Sequence, residues 1–483
     1  PSLPAGVDQI NIDAQVRNPG GNIDLTEISI HPFSFRLAEN PFSLTADIKT
    51  PVSDPDFTAE AKGVLNLGMI KQVYPLDDME LNGTVRADMT MAGHLSYIEK
   101  EQYDRFSASG TIALSDMKLK MKEMPDIEIK KSLFTFTPKY LQLSETTVAI
   151  GKNDLTADCR FENYMGYALK GGTLKGVLNV RSNHLNLNDF MTATTDSTAQ
   201  TSQASSTEET ASMIEVPQNI DFQLDAGLKE VLFDKMTFTN MNGKLIVKNG
   251  KVDMTNLSMN TMGGSVVMNG YYSTADPKKP EMNAGFRMEN IGFAQAYKEL
   301  DMVQKMAPIF ENLKGNFSGN MHIRTLLDNQ MSPVMDTMQG NGSLSTQDLS
   351  LSGVKVIDQI AEAVKKPELK EMKVKDMALD FTIKDGRVST KPFDIKLGDY
   401  VMNLSGSTGL DQTIDYSGKI KLPASAGDIA KLTTLDLKIG GTFSSPKVSL
   451  DTKSMTNQAV EAVTDKAISE IGKKLGLDSA TTA

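Results

Sequence analysis

Apolar and polar positions alternate through residues 381 to 407, FTIKDGRVSTKPFDIKLGDYVMNLSGS. Phe381 and Ile383 stand two apart, as do Phe393, Ile395 and Leu397, and Met402 and Leu404. Thr382, Lys384, Asp394 and Lys396 fall between them. Side chains alternate across a strand, so this period puts the apolar set on one face and the polar set on the other. The KDG step at 384–386 supplies the tolerance of positive φ that a tight hairpin needs. The pattern predicts an antiparallel meander with one wet face and one dry face.

The same pattern recurs along the chain. Residues 243–270, GKLIVKNGKVDMTNLSMNTMGGSVVMNG, align without a gap with 379–406 at an offset of 136. Gly250 matches Gly386, Val252 matches Val388, and Leu257 and Met259 match Phe393 and Ile395. Val266, Met268 and Gly270 match Met402, Leu404 and Gly406. A weaker copy occupies 132–159, with Lys139 and Cys159 where the other two carry glycine. The period outlives its turn residues, so it matters more than any one side chain.

A second recurring element is a short apolar pair followed by a helix-like stretch. It appears at 64–74 (VLNLGMIKQVY), 184–191 (HLNLNDFM), 290–300 (NIGFAQAYKEL) and 348–364 (DLSLSGVKVIDQIAEAV). In the last, Val356, Ile360 and Val364 lie four apart, as on one helix face, and Pro367 lies just beyond, where helices commonly stop. Several hairpins followed by a helix that covers a strand edge or sheet end is the expected arrangement. The fold class is thus mainly β: an elongated, curled antiparallel sheet of repeated hairpins, with a few short helices capping edges.

Two segments depart from this pattern. Residues 192–212, TATTDSTAQTSQASSTEETAS, carry no large apolar side chain. They cannot bury enough surface to offset their ordering entropy, so they read as a flexible linker or loop. They separate an N-terminal β-repeat section, 1–191, from a C-terminal one, 213–452. A long insertion between two strands of one sheet is equally allowed, because loop-closure entropy grows slowly with length. In the tail, 453–483, Val460, Val463, Ala467, Ile468, Ile471 and Leu475 form an apolar stripe at helical spacing over 454–477. This predicts an amphipathic helix, docked on its own sheet or lying on a membrane surface. Its mixed charge favours the sheet.

The 483 residues allow several domains or one extended one. With 50 Lys plus Arg against 61 Asp plus Glu the net charge is −11, which argues against a nucleic-acid partner. No apolar run reaches the roughly 20 residues that span a bilayer, and no signal peptide is recognisable. With Pro1 rather than Met at its start, the chain is expected to be a processed or partial product, so the missing anchor says little about the parent protein. A single cysteine, Cys159, allows no intrachain disulfide and leaves the redox compartment open. Lying in the alternating run LTADCRF, it fits a small buried hydrophobe better than a catalytic thiol.

Candidate chemistry is sparse. His31, His94, His184 and His322 are isolated, none at metal-ligand spacing from another His or the Cys. There is no nucleophile elbow, no Walker A motif and no dinucleotide-binding glycine motif followed by a helix. The acids of SDPDF and PLDDME stand as solvated turn residues or, less simply, as calcium ligands, though without EF-hand spacing. No nucleophile, acid or metal set by partners emerges, so no enzyme, cofactor or metal site is expected.

Several phrases, together with the glycine-punctuated strands, resemble the AsmA family. They are AKGVLNLGMIKQVYPLDDMELNGTVRADMTMAGHLS (61–96), GTIALSDMKLKM (110–121), RSNHLNLNDFM (181–191) and LDLKIGGTFSSPKVSLDTK (435–453). The last is similar to the close of the AsmA-like C-terminal region. The resemblance covers most of 20–453, with 192–212 departing from it. It implies an envelope protein of diderm bacteria, related to TamB, with its bulk in the periplasm and an inner-membrane anchor in the parent protein. It further implies a curled sheet with an apolar groove, and a part in outer-membrane biogenesis and phospholipid passage. It offers no catalytic residues to carry over.

On this reading the repeated surface is itself the site. A dry sheet face left uncovered would be an exposed apolar strip of the kind that marks binding surfaces. Phospholipid or other acyl-chain lipids are the expected partners, with envelope proteins as further ones. The 28 methionines suit varied apolar ligands or simply fill gaps. The lipid-contact candidates are Leu245, Val247, Met259, Val266 and Met268 in one repeat, and Phe381, Ile383, Ile395, Leu397, Met402 and Leu404 in the other. The alternative is a structural or protein-binding envelope scaffold whose dry face closes into a core. An enzyme on a β-repeat scaffold is a third reading. Action on polysaccharide would want an aromatic platform, and the chain has no Trp and is 6% aromatic. From composition, residues 192–212 are expected to be the first site cut in limited proteolysis of the folded chain. Earlier cleavage elsewhere, with this segment spared, would refute that reading.

Overall fold

A computed structural model describes residues 7–451, apart from 38–39, 70–78, 101, 103–104, 122–124, 194–213, 364–366, 368–369, 371–372, 375–376 and 422–433. The tail helix expected at 454–477 and nearly all of the Ser/Thr-rich segment therefore lie outside the described residues. The protein is mainly β, with strands whose inward positions alternate with exposed polar ones and a few short helices. Two compact units divide the chain. One comprises 1–233, 239–255 and 273–276, the other 234–238, 256–272 and 277–483.

In the first unit each strand pairs antiparallel with the next through β1 (Val7–Arg17), β2 (Glu27–Leu37), β3 (Asn40–Lys49), β4 (Asp56–Asn66) and β5 (Met79–His94). The meander continues through β6 (Ser107–Met121), β7 (Ile127–Phe136), β8 (Tyr140–Ile150), β9 (Asn153–Glu162) and β10 (Leu174–Ser182). Helix α1 (Leu95–Glu99) follows β5, and α2 (Tyr164–Lys170) follows β9. They supply Ile98 and Met165, which pack with Phe106 and Ala108 into a small core. After β10 come β11 (Leu185–Asn186) and α3 (Asn188–Ala193).

β12 (Ile220–Phe233) then pairs in parallel with β10, Leu174 opposite Ile220, and with β11, Leu185 opposite Val231. The Ser/Thr-rich segment thus lies between two strands that pair directly within one unit. The boundary between the two compact units does not fall at 192–212. The boundary instead passes through β13 (Met236–Lys248), β14 (Lys251–Thr261) and the end of β15 (Gly264–Ser273).

The second unit holds β16 (Glu281–Gly292), β17 (Leu313–Leu326), β18 (Gln339–Leu351), β19 (Lys373–Val374), β20 (Met377–Lys384), β21 (Arg387–Leu397), β22 (Tyr400–Gly409), β23 (Ile414–Lys421), β24 (Thr434–Gly441) and β25 (Pro446–Asp451). These pair antiparallel in succession, with β18 pairing both β19 and β20. α4 (Phe293–Glu299), α5 (Asp301–Met306) and a 3-10 turn (Pro308–Asn312) separate β16 from β17, and α6 (Lys355–Ala363) separates β18 from β19. The sheet is not closed, for β25 pairs with β24 alone among the described strands. The strand-then-helix steps read from the sequence appear as β11–α3, β16–α4 and β18–α6; the step at 64–74 opens with a 3-10 turn at Leu67–Met69.

The sequence repeat is a structural one. β8 and β9, β14 and β15, and β21 and β22 start and end at corresponding positions under the offsets of 111 and 136. Asn249–Gly250 and Asp385–Gly386 each place two consecutive residues at positive φ, the signature of a two-residue hairpin turn twisted to match its strands. A bulge recurs at matching points, between Leu143 and Thr146 in β8 and between Thr390 and Phe393 in β21. At its centre Glu145 has φ 54°, and its counterpart Asn256 in β14 has φ 49°. The N–H of Glu145 donates to Asp158 Oδ1 at 3.1 Å, and that of Asn256 to Asn269 Oδ1 at 2.8 Å. The third copy has Pro392 there, which carries no N–H to satisfy.

Gly270 and Gly406, matched in the repeat, share one cause. A Cβ on Gly270 would lie 2.2 Å from the Asn283 carbonyl oxygen, and one on Gly406 2.2 Å from that of Asp415 and 2.5 Å from Tyr416 Cα. The neighbouring backbone occupies the space a side chain would need. Gly406→Val is expected to cost about 2–3 kcal/mol through overpacking. It should appear as a lower urea midpoint with an unchanged slope. An unshifted midpoint would show that the two strands can part at no cost.

Candidate functional site

The dry face of the second unit encloses a cavity of about 320 Å³. Strands from β16 to β24 supply one set of lining residues, and α4, α5 and α6 supply another. Among the described residues no charged side chain lines it, and its polar lining residues are Ser343, Thr390, Thr408 and Tyr416, of which Ser343 stands in register with Asp380 of the outward set. Period two explains this composition. Along β20, for example, Met377, Leu379, Phe381 and Ile383 line the cavity while Asp380 and Lys384 belong to the other set.

The helices complete the enclosure because their sequences place apolar residues on one side. Phe293 opens α4 and is fully buried, packing edge-on to Phe310 at 4.7 Å between ring centres and tilted against Phe317 at 4.9 Å. Such aromatic contacts add about 0.5–1.5 kcal/mol beyond area burial. Met306 of α5 packs with Ile323, Met338 and Ile383. On α6, Ile357 lines the cavity, while Ile360 and Ala361 are buried. α6 is tied to the strands beyond it, with Lys355 Nζ donating to the Ser444 carbonyl at 2.8 Å and Gln359 Nε2 to that of Pro446 at 3.0 Å.

Closure is uneven. Ile291, Phe293 and Val374 are wholly buried, whereas Met321, Leu344, Leu379, Phe381, Phe393 and Ile395 are half-buried. The second group leaves apolar surface within reach of solvent. Six methionines, Met262, Met288, Met302, Met306, Met321 and Met377, are among the lining residues, giving it flexible, polarisable walls.

The sequence-derived candidates divide among several places. Phe381, Ile383, Ile395 and Leu404 line the cavity. Met402, 1% exposed, shares their face but stands outside the lining. Leu397 pairs with Val374 and Tyr400, and its side chain lies outside the described residues. Met259 and Val266 are buried and Met268 half-buried, none in the cavity lining. Leu245 and Val247 belong to the first unit and are half-buried. Sequence reasoning missed the contributions of α4, α5 and α6. Their signal lies in the helix-like stretches at 290–300 and 348–364, whose pattern suggests helices over strand edges and sheet ends and gives no sign that they cover the dry face.

The isolated titratable groups serve local structure. Asp154 accepts from the N–H of Asn183 at 3.0 Å and of His184 at 2.7 Å. Burial opposes the charge of this carboxylate, but these bonds outweigh it and hold the pKa below the ordinary range. His184 Nδ1 lies 2.6 Å from Glu230 Oε2, and His31 Nε2 lies 2.7 Å from Asp47. Among the described residues no group of three or more His, Cys, Asp and Glu is placed to hold a metal ion. None of the described helices is long and apolar enough to cross a membrane.

No family model matches the chain, and a search of curated proteins likewise finds no match.

Cys159 is buried at 6% exposure, in the place that Gly270 and Gly406 take in the other repeats. Burial, with a smaller push from Asp158, raises its thiol to about 11, so it is protonated at neutral pH. At pH 8 the folded protein is expected to resist a thiol-specific reagent and to react with one equivalent after unfolding. Rapid labelling of the native chain would contradict this.

Proposed function

We propose that the protein is a non-enzymatic lipid-binding component of the bacterial envelope. It would act in the periplasm as a conduit or chaperone that shelters acyl chains between membranes during outer-membrane biogenesis. In the parent protein it would be attached to the inner membrane. The observation that carries this reading is the cavity of the second unit, which has no charged lining among the described residues and is partly open to solvent. At about 320 Å³ it falls at the lower end of the roughly 300–1,000 Å³ typical of small-molecule sites. Apolar surface of this kind gains about 25 cal/mol for each Å² an acyl chain removes from water. The AsmA-like phrases support the same assignment.

A scaffold with its apolar face packed on itself is the alternative. It draws support from Met402, Ile420 and Leu437, each 1% exposed on their strands. The two readings part at half-buried positions. A photo-crosslinker at Ile395 or Phe393 should capture lipid from envelope extracts, and the same probe at exposed Lys396 or Asn403 should not. Folded variants that yield no lipid adduct at Ile395, Phe393 or Met321 would leave the scaffold.

A further inference from the structure

Three of the four hydroxyl side chains in the lining come from consecutive strands: Thr390 from β21, Thr408 from β22 and Tyr416 from β23. Register brings them together, for Gly406 stands opposite both Thr390 and Tyr416, with Thr408 two residues beyond it on the same face. Thr408 Oγ1 and Tyr416 OH lie 3.2 Å apart, and Thr390 Oγ1 donates to the Gly406 carbonyl at 3.4 Å. Thr408 and Tyr416 each bring one hydroxyl hydrogen, and their mutual bond uses one of the two. Thr390 is also within hydrogen-bond reach of the Tyr416 phenol, so the three hydroxyls form one rotatable chain that can turn a hydrogen toward the cavity. Burial holds the Tyr416 phenol above its ordinary value, offset only in part by the two threonine hydroxyls and Arg387, so it remains a donor at neutral pH.

Among the described residues no cation lines this corner. Arg387 commits its guanidinium to Ser407 Oγ and Thr413 Oγ1, both at 3.0 Å, and to the Ser407 carbonyl at 3.4 Å. An ionised ligand group here would lose its water and gain no ion pair with a described residue, only the field of Arg387, whose hydrogen bonds are committed elsewhere.

We propose that Thr390, Thr408 and Tyr416 form a polar subsite that receives an uncharged carbonyl oxygen borne on a hydrocarbon chain. The ligand class is then an acyl ester or a protonated fatty acid, rather than bare hydrocarbon or an ionised carboxylate. This rests on the lipid-binding reading of the cavity and adds selectivity to it.

The test is equilibrium binding of three twelve-carbon probes to the full chain: dodecane, methyl dodecanoate and dodecanoate. The ester should bind about three- to tenfold more tightly than dodecane, the worth of one net hydrogen bond. Dodecanoate at pH 8 should bind more weakly than the ester, and approach it as the pH is lowered toward 5. That rise distinguishes a protonated acid from an ester as a source of the same carbonyl. Tyr416→Phe should erase the preference for ester over dodecane while leaving dodecane binding unchanged. Thr408→Val should do the same, and if that buried substitution unfolds the chain, Tyr416→Phe decides alone. Equal wild-type affinity for ester and dodecane, a preference that survives in folded Tyr416→Phe, or tighter binding of ionised dodecanoate would each overturn the subsite and leave the cavity reading intact. Failure of all three probes to bind would remove both.

Discussion

The structure depends on one constraint: a pleated strand has two faces, and an apolar face must be covered by something. In the second unit the chain supplies part of the cover from its own connections. α4 and α6 each follow the end of a strand, α5 follows α4, and all three turn their apolar side toward the dry face, bringing Ile291 and Phe293 to complete burial. The cover is shorter than the face beneath it. Phe381, Phe393 and Ile395 therefore stay half-buried, and a cavity with no charged lining among the described residues persists between strands and helices. A sandwich would meet the same constraint with a second sheet; here three short helices meet it incompletely.

Much of this was legible in the sequence. The alternation at 381–407 correctly placed Phe381, Ile383, Ile395 and Leu404 on one face, because period two leaves no freedom once a single residue is assigned. The aligned repeats correspond to strands whose limits in the structure agree to the residue under offsets of 111 and 136, in β8, β14 and β21 and in β9, β15 and β22. What alternation cannot convey is what lies above a face. Residues such as Ala296, Met306 and Ile357 meet the strands through tertiary packing between segments far apart in sequence. Likewise the parallel pairing of β10 with β12 depends on a crossover, and local pattern carries no sign of strand direction. The trio of Thr390, Thr408 and Tyr416 was equally hidden, since only register brings these three strands into line.

Bulges show how much local chemistry the repeat conserves. An extra residue bends its strand and leaves an N–H without a ladder partner. Two copies meet that need from the next strand, with Asp158 serving Glu145 and Asn269 serving Asn256. The third removes the need with Pro392. The first unit solves the related problem of an interrupted strand in a similar way, since Asp154 gathers the backbone of Asn183 and His184 between β10 and β11.

The coincidence of strand boundaries among the copies has a consequence for how such a chain changes length. A hairpin that brings its own turn, bulge and bulge acceptor makes few demands beyond its two flanking strands. Chains assembled from such modules behave nearly one-dimensionally, with stability approximated by a sum over modules and the junctions between them. Duplication or loss of one module then adds or removes a fixed increment of dry surface and leaves the alternation of every other strand in phase. The extent of dry face becomes a quantity that can be altered in whole steps, whereas a closed barrel would have to be rebuilt at each change of strand number.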